Sequence, residues 1–182
     1  MAKYLPLTIE PRGDREILMS RDFNAPRELV WDAWTKPELV RQWLYGPDGW
    51  TMSRCEIDLR VGGAYRFELT QVDTSMPKGE LPSGETFVTM GWGGIFTEIN
   101  HPERFVNTEQ FDESWYEGES VITNILTDLG GGMTRFDSIL AYVSTEARDS
   151  VLASDMESGV AMGYDRLQDL MESILAGAAT PA

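Results

Sequence analysis

The sequence predicts an α+β domain in which a strongly bent antiparallel sheet wraps a long C-terminal helix. From Ser154 to Ala176, apolar residues recur every three or four positions, which is the spacing of one helix face. From Cys55 the period changes to two and stays there for about ninety residues, as in half-buried strands. No parallel crossover signal lies between these strands, so an antiparallel sheet is expected.

The N-terminal part predicts one strand and two short helices. Residues 1–14 contain prolines and a glycine without a sustained period, which indicates a poorly fixed tail. The run from Arg15 to Phe23 predicts the first strand. Pro26 is suited to the first turn of a helix, and the pair Thr35 and Glu38 has the form of a capping box that begins a second helix.

Six more strand segments and a connecting helix precede the long helix. The strands are expected at Cys55–Leu59, Tyr65–Leu69, Phe87–Ile99, Arg104–Phe111, Ser120–Asp128 and Met133–Val143, the first two forming one hairpin. Residues 73–85 are predicted to be a polar loop. Gly91, Gly93 and Gly94 within one strand indicate a bulge or bend. Thr145 is expected to cap a short helix through Leu152.

The long helix carries an N-terminal signal and two unusual glycines. Ser154 and Glu157 form a second capping-box pattern, which predicts the start of the helix at Ser154. Glycine inside a helix costs about 1 kcal/mol relative to alanine. Gly159 and Gly163 should therefore either meet a closely packed backbone or border an open space.

Length and charge restrict the class of protein. The 182 residues predict one domain over 15–176, followed by a C-terminal tail over 177–182. A net charge of −15 disfavours nucleic acid and anionic lipid surfaces as partners. The single cysteine, Cys55, and the lack of a long apolar run predict a cytoplasmic protein without membrane insertion.

Four segments carry a resemblance to a known family. They are FNAPRELVWDAWTKPELVRQW, DLRVGGAYRFEL, GIFTEINHPERFVNT and the stretch from GGMTRFDSILAY to GYDRLQDLM. In this order they resemble the AHSA1-like (activator of Hsp90 ATPase homologue) branch of the START/Bet v 1-like (SRPBCC) superfamily. The resemblance implies a helix-grip fold, in which about seven antiparallel strands curl around the C-terminal helix and leave an internal cavity. It implies little about activity, because the superfamily includes carriers, receptors and enzymes.

Patterns for metal or nucleophilic catalysis are absent from the sequence. His101 is the only histidine and Cys55 the only cysteine, so neither has a partner at metal-ligand spacing. A serine, histidine and acid triad would need His101, which lies in a predicted turn before proline. The glycines at 91–94 and 130–132 do not form a phosphate-binding loop. No cofactor is therefore expected.

A ligand cavity is the remaining candidate site. We expect its wall to comprise inward residues of the strands and the long helix, with Trp43 near the mouth. The candidates are Trp43, Tyr65, Phe67, Met90, Trp92, Phe96, Phe136, Ser138, Leu140, Tyr142, Met156, Gly159, Val160 and Gly163. Ordinary core packing is the alternative for each of them, although paired helix glycines favour an open space.

Three strand carboxylates are considered as acid–base groups. Strand parity places Glu68 and Asp137 opposite the apolar faces, where they should be solvated. Glu109 shares a face with Asn107 and Phe111, so it is the better candidate. In a dry cavity its pKa would rise, as a general acid or base on a bound carbonyl requires.

These residues support three functional hypotheses. The first is binding of a small hydrophobic or amphipathic ligand, and the second is a cyclase- or hydrolase-type enzyme using Glu109. The third, a co-chaperone of Hsp90, follows from the family name only. Trp115 and Tyr116 in an acidic loop also predict either a protein-binding surface, a cover for the cavity mouth or a homodimer contact.

Overall fold

The computed structural model describes residues 3–72, 87–114, 116–154 and 156–178, in which one eight-stranded antiparallel sheet and four helices are present. The elements in chain order are β1 Leu7–Arg12, β2 Glu16–Phe23, α1 Arg27–Thr35, α2 Pro37–Val40, β3 Trp50–Ile57, β4 Ala64–Val72, β5 Phe87–Asn100, β6 Arg104–Phe111, β7 Ser120–Gly130, β8 Met133–Ala141, α3 Thr145–Leu152 and α4 Met156–Ala178. The predicted α+β class is confirmed. The loop expected at 73–85 lies outside the described residues.

The strands follow the order β1-β2-β8-β7-β6-β5-β4-β3, so β1 and β3 form the two edges of the sheet. The prediction of a poorly fixed tail is wrong for Leu7–Arg12, which pairs antiparallel with β2. Pro11 lies in this strand opposite Ile17. An edge strand tolerates proline because one side of its backbone needs no ladder hydrogen bond. The sheet therefore has eight strands where about seven were expected.

Three helix starts differ from the sequence predictions. The hydroxyl of Thr35 donates to the carbonyl oxygen of Trp31 at 2.8 Å, so it does not cap α2. The hydroxyl of Ser154 donates to the carbonyl oxygen of Val151, and α4 runs from Met156 to Ala178 instead of from 154 to 176. In both cases the hydroxyl bonds back to the preceding helix, a local alternative that serine and threonine readily adopt.

The third difference concerns α3. Its bounds are as predicted, but its N-cap is Ser144 and not Thr145. The Ser144 hydroxyl accepts a 3.1 Å hydrogen bond from the amide of Ala147. Ser144 has extended backbone angles, the conformation an N-cap residue requires. Thr145 is already in the helix.

Two buried clusters hold the helices against the sheet. In the first, Trp34 of α1 stacks on Phe136 of β8 with ring centroids 4.3 Å apart. The same indole packs edge-on against Trp43 at 4.7 Å and against Tyr164 of α4 at 5.7 Å. The second cluster joins α3 to strands β2, β7 and β8. Phe111 contacts both clusters, and a cavity remains between them and α4.

Within the described residues, the sheet is irregular at three places. The register shifts between Met52 and Arg54 in the β3–β4 pair, between Phe96 and Glu98 in the β5–β6 pair, and between Asp128 and Gly130 in the β7–β8 pair. The shift in β5 follows shortly after Gly94. Gly94 also marks a close approach, since a Cβ at this position would lie 2.0 Å from the carbonyl oxygen of Thr108. Only a residue without a side chain fits there.

Candidate functional site

A cavity of about 640 Å³ lies between the concave face of the sheet and α4. Its wall is mostly aromatic and aliphatic. Every predicted ligand-binding residue except Phe136 lies on that wall. These residues are Trp43, Tyr65, Phe67, Met90, Trp92, Phe96, Ser138, Leu140, Tyr142, Met156, Gly159, Val160 and Gly163. That they contact a ligand stays a prediction.

Two of the predicted positions need correction. Phe136 does not line the cavity, because its fully buried ring is stacked on Trp34 and shielded by α1. Trp43 reaches the cavity but does not form an exposed rim, since it is 1% exposed. Its indole N–H donates to the carbonyl oxygen of Ala33 at 2.9 Å, which fixes the ring against α1.

A row of hydrogen-bonded polar side chains, here called the polar stripe, crosses the cavity wall on Tyr65, Asn107, Asn124 and Ser138. The Ser138 hydroxyl donates to Oδ1 of Asn124 at 3.0 Å, and Nδ2 of Asn124 donates to Oδ1 of Asn107 at 3.2 Å. Nδ2 of Asn107 donates to the Tyr65 hydroxyl at 3.0 Å and to the Thr108 carbonyl oxygen at 3.1 Å. The stripe thus joins strands β4, β6, β7 and β8.

The position of Gly94 allows the polar stripe to reach β4. Tyr65 is paired with Gly94 on β5, and its hydroxyl donates to the Thr108 carbonyl oxygen on β6 at 2.8 Å. The phenol therefore spans the intervening strand. A side chain at Gly94 would occupy this path, since its first atom would already contact the backbone of Thr108.

Glu109 adds a carboxylate to the same wall. It lies on β6 with Asn107 and Phe111 on the inward face, as predicted. Within the described residues its carboxylate makes no hydrogen bond or ion pair. The residue is half-buried and lines the cavity. Burial raises the pKa of Glu109 to about 7, because the charged form loses its hydration.

Three tyrosines adjoin Glu109. Burial, and secondarily the negative charge of Glu109, raise the pKa values of Tyr65 and Tyr142 well above the ordinary range. Burial also raises the pKa of Tyr116, whose ring meets Tyr142 edge-on at 5.2 Å. Of the alternatives predicted for Tyr116, an exposed protein-binding surface is wrong, because Tyr116 is buried and lines the cavity. Trp115 lies outside the described residues.

The other two carboxylates of interest face away from the cavity, as strand parity predicted. Asp137 accepts a hydrogen bond from the hydroxyl of Ser20. Oε2 of Glu68 lies 3.8 Å from Nη2 of Arg66 on the outer face of the sheet. Both are partly accessible. Neither is placed to act on a molecule in the cavity.

Arg166 of α4 is the other charged side chain on the cavity wall among the described residues. Its guanidinium lies over the ring of Tyr45, 4.1 Å from the centroid, and Nη1 donates to the carbonyl oxygen of Gly46. These two contacts hold the Arg166 guanidinium against the connection between α2 and β3. Glu109 and Arg166 form no ion pair with each other.

Neither the single histidine nor the single cysteine lines the cavity. No group of three histidine, cysteine or acidic residues is arranged to hold a metal ion within these residues. His101 lies in the turn before β6, with Nε2 3.3 Å from a carboxylate oxygen of Glu28. Cys55 is buried, and burial raises the pKa of its thiol. None of the helices in the described segments has the length and apolar character needed to cross a bilayer.

Asn124 was not predicted as a site residue, and Asn107 was not predicted to belong to a hydrogen-bond network. A usable signal was present, because the neighbours of each asparagine at i±2 lie on the inner face of the sheet: Phe105 and Glu109 beside Asn107, and Ile122 and Leu126 beside Asn124. An asparagine on the inner face of a strand is costly unless it is hydrogen-bonded. Two such residues on adjacent strands therefore indicate a shared polar contact. Their pairing partners, however, depend on register, which the sequence does not specify.

The curled sheet, the gripped C-terminal helix and the cavity between them define a helix-grip protein of the START/Bet v 1-like class. The family model for Activator of Hsp90 ATPase homolog 1-like protein matches residues 24–172. The chain belongs to this AHSA1-like family.

Solved structures agree with this assignment. A protein of Rhodobacter sphaeroides is 29% identical, with a TM-score of 0.78, and the match covers 92% of this chain and 98% of that one. A protein of Chromobacterium violaceum is 25% identical, with a TM-score of 0.68 and coverage of 87% and 97%. A protein of Mycobacterium smegmatis is 20% identical, with a TM-score of 0.72 and coverage of 91% and 97%, and shares the fold. Comparison with curated proteins found no match.

Proposed function

We propose that this protein binds a small, largely apolar ligand with one polar group in the cavity between the sheet and α4. The observation that carries the proposal is an apolar space of about 640 Å³ whose wall also presents the polar stripe and Glu109. Ligand sites usually measure roughly 300 to 1,000 Å³ and combine apolar walls with a few polar groups. The size and composition of this cavity match that description.

The energetics favour an occupied cavity. Water can satisfy the polar stripe but gains little on the aromatic walls. A ligand that covers about 200 Å² of apolar wall would contribute roughly 5 kcal/mol before the entropic costs of binding.

The proposal is tested on the purified protein without added ligand. We expect native mass spectrometry to show a bound mass that organic extraction removes. The emptied protein should then bind the neutral dye Nile red, with a change in tryptophan fluorescence because Trp43 and Trp92 line the cavity. Absence of any bound mass, together with no binding across a set of hydrophobic probes, would contradict the proposal.

An enzyme is the second candidate function, and Glu109 favours it. An unpaired carboxylate with a pKa of about 7 is suited to proton transfer near neutral pH. A cyclase- or hydrolase-type reaction would use it on a bound carbonyl. Full turnover of an identified ligand by Glu109→Gln would remove this assignment. The co-chaperone hypothesis rests on the family description alone, and a pull-down with Hsp90 tests it.

A further inference from the structure

We infer that the polar group of the ligand is a protonated amine, held by Glu109 between the aromatic walls of the cavity. This inference rests on the proposed function, because it requires a ligand in that space. It specifies the chemistry of the ligand as a hydrophobic amine with a single cationic head. Three features support it: the hydrogen-bonding capacity of the wall, the aromatic surfaces beside the carboxylate and the distribution of charge.

The wall near Glu109 offers acceptors and uses most of its donors internally. Both amide hydrogens of Asn107 are engaged, one with Tyr65 and one with the backbone, and the hydroxyls of Tyr65 and Ser138 also donate within the protein. The ionised Glu109 carboxylate is a pure acceptor that receives no hydrogen bond from the described residues. An ammonium group, with three donors and no acceptor, complements this arrangement.

Aromatic rings line the same cavity as the Glu109 carboxylate. Phe111, two residues along β6 on the same face, stacks with Trp92 at a centroid distance of 5.6 Å. Tyr116 and Tyr142 form the edge-on pair described above, and Glu109 acts electrostatically on both. The hydroxyl of Tyr142 has no hydrogen-bond partner among the described residues. Rings around a desolvated cation stabilise it through cation–π attraction.

Within the described residues, no fixed cation competes for Glu109. In the described segments, two charged residues line the cavity, Glu109 on β6 and Arg166 on α4. The other titratable groups on the wall are tyrosines: Tyr45 after α2, Tyr65 on β4, Tyr116 before β7, Tyr142 after β8 and Tyr164 on α4. Burial keeps Tyr65, Tyr116, Tyr142 and Tyr164 neutral near pH 7. Arg166 is held by Tyr45 and the Gly46 carbonyl oxygen. The net charge of −15 further favours the approach of a cation.

The charge balance makes amine binding dependent on pH. Glu109 is about half ionised near pH 7, and an ammonium group binds the ionised form. A typical aliphatic amine keeps its proton up to about pH 10. Amine affinity should therefore rise as the pH increases through 7. A neutral ligand of the same shape gains nothing from the ionisation of Glu109.

The test is displacement of Nile red by phenylbutylamine, phenylbutanol and phenylbutanoate, which share one apolar body and differ in head group. At about pH 8.5 we expect the amine to displace the dye at least about tenfold more effectively than the alcohol, and at about pH 5.5 this advantage should fall by about tenfold. In Glu109→Gln the amine and the alcohol should be equivalent at both pH values. Glu119→Gln, which removes an exposed negative charge near the same site, should retain the wild-type pattern.

The outcomes separate the two proposals. If the dye binds normally and the three compounds displace it equally, the amine inference is overturned and the proposed function stands. The same conclusion follows if phenylbutanoate displaces the dye best. No dye binding and no bound mass would overturn both. If Glu109→Gln fails to fold, as judged by circular dichroism, the pH dependence of the amine advantage in the wild-type protein decides the question.

Discussion

The hydroxyl of Tyr65 on β4 donates a 2.8 Å hydrogen bond to the carbonyl oxygen of Thr108 on β6, across the intervening strand β5. The bond connects two strands that are not neighbours in the sheet. It depends on Gly94, which lies opposite Tyr65 and carries no side chain. Gly94 therefore permits both the close approach of β5 to β6 and the hydrogen bond by which Tyr65 joins the polar stripe.

Gly94→Ala should destabilise the protein by about 1 to 3 kcal/mol or more, because its Cβ would lie 2.0 Å from the Thr108 carbonyl oxygen and β6 would have to move. Urea unfolding measures the change. Gly159→Ala is the matched control, since a Cβ there has no heavy atom within 4 Å. It should stabilise α4 by up to about 1 kcal/mol. Equal effects of the two substitutions would show that the close approach at Gly94 is unimportant.

Glu109 should make the stability depend on pH. The folded protein holds the Glu109 proton more tightly than the unfolded chain, because its pKa is raised from 4.5 to about 7. The contribution to the unfolding free energy is complete below pH 4.5 and is lost as the pH rises through 7, a change of at most about 3 kcal/mol. Urea unfolding of wild-type protein and Glu109→Gln at several pH values measures it.

The unfolding free energy of Glu109→Gln should be close to that of the wild type at low pH. Above pH 7 it should be higher than that of the wild type, by the free energy that the wild type loses when Glu109 ionises. Glu119→Gln should follow the wild-type pH dependence, because this residue is exposed. Parallel curves for wild type and Glu109→Gln would argue against a raised pKa at Glu109.

Gly159→Leu should reduce Nile red binding while leaving the unfolding free energy unchanged or higher. The position lines the cavity, and its missing side chain faces open space. Gly163→Leu provides the contrast, because a Cβ there already lies 3.8 Å from the Trp43 ring and a longer side chain must displace it. That variant should lose about 1 to 3 kcal/mol of stability. Unimpaired dye binding by both variants would place the bound dye elsewhere.

Ser144→Ala should destabilise the protein by about 1 kcal/mol, because the amide of Ala147 loses its acceptor at the start of α3. Thr145→Ala is the matched control and should change the unfolding free energy by a few tenths of a kcal/mol at most, since Thr145 is inside the helix. Thermal or urea unfolding distinguishes the two. A larger loss from Thr145→Ala would reverse the cap assignment.

The periodic features of the fold could be predicted from the sequence. β6 has the predicted bounds Arg104–Phe111, and the inward face of β6 follows from strict alternation around Asn107 and Glu109. The gripped helix follows from the spacing of its apolar residues. Such features depend on local geometry, which a single sequence specifies.

Features that depend on three-dimensional context could not be predicted. β1 alternates Leu7 and Ile9 with Thr8 and Glu10, but this run is short and is followed by Pro11 and Gly13. The pairing with β2 that makes it a strand is a tertiary contact, which the local pattern does not specify. Phe136 has the correct parity for the cavity, but Trp34 of α1 covers it. The cap residues Ser144 and Thr145 are adjacent and chemically similar, so only the backbone conformation separates them.

The sheet is open, and its two edge strands, β1 and β3, are not hydrogen-bonded to each other. A closed barrel fixes its radius through strand number and stagger, whereas an open sheet can change its curvature while every ladder bond is kept. The 640 Å³ volume therefore corresponds to one curvature of the sheet around α4. A change in that curvature would change the cavity volume without breaking a strand pair.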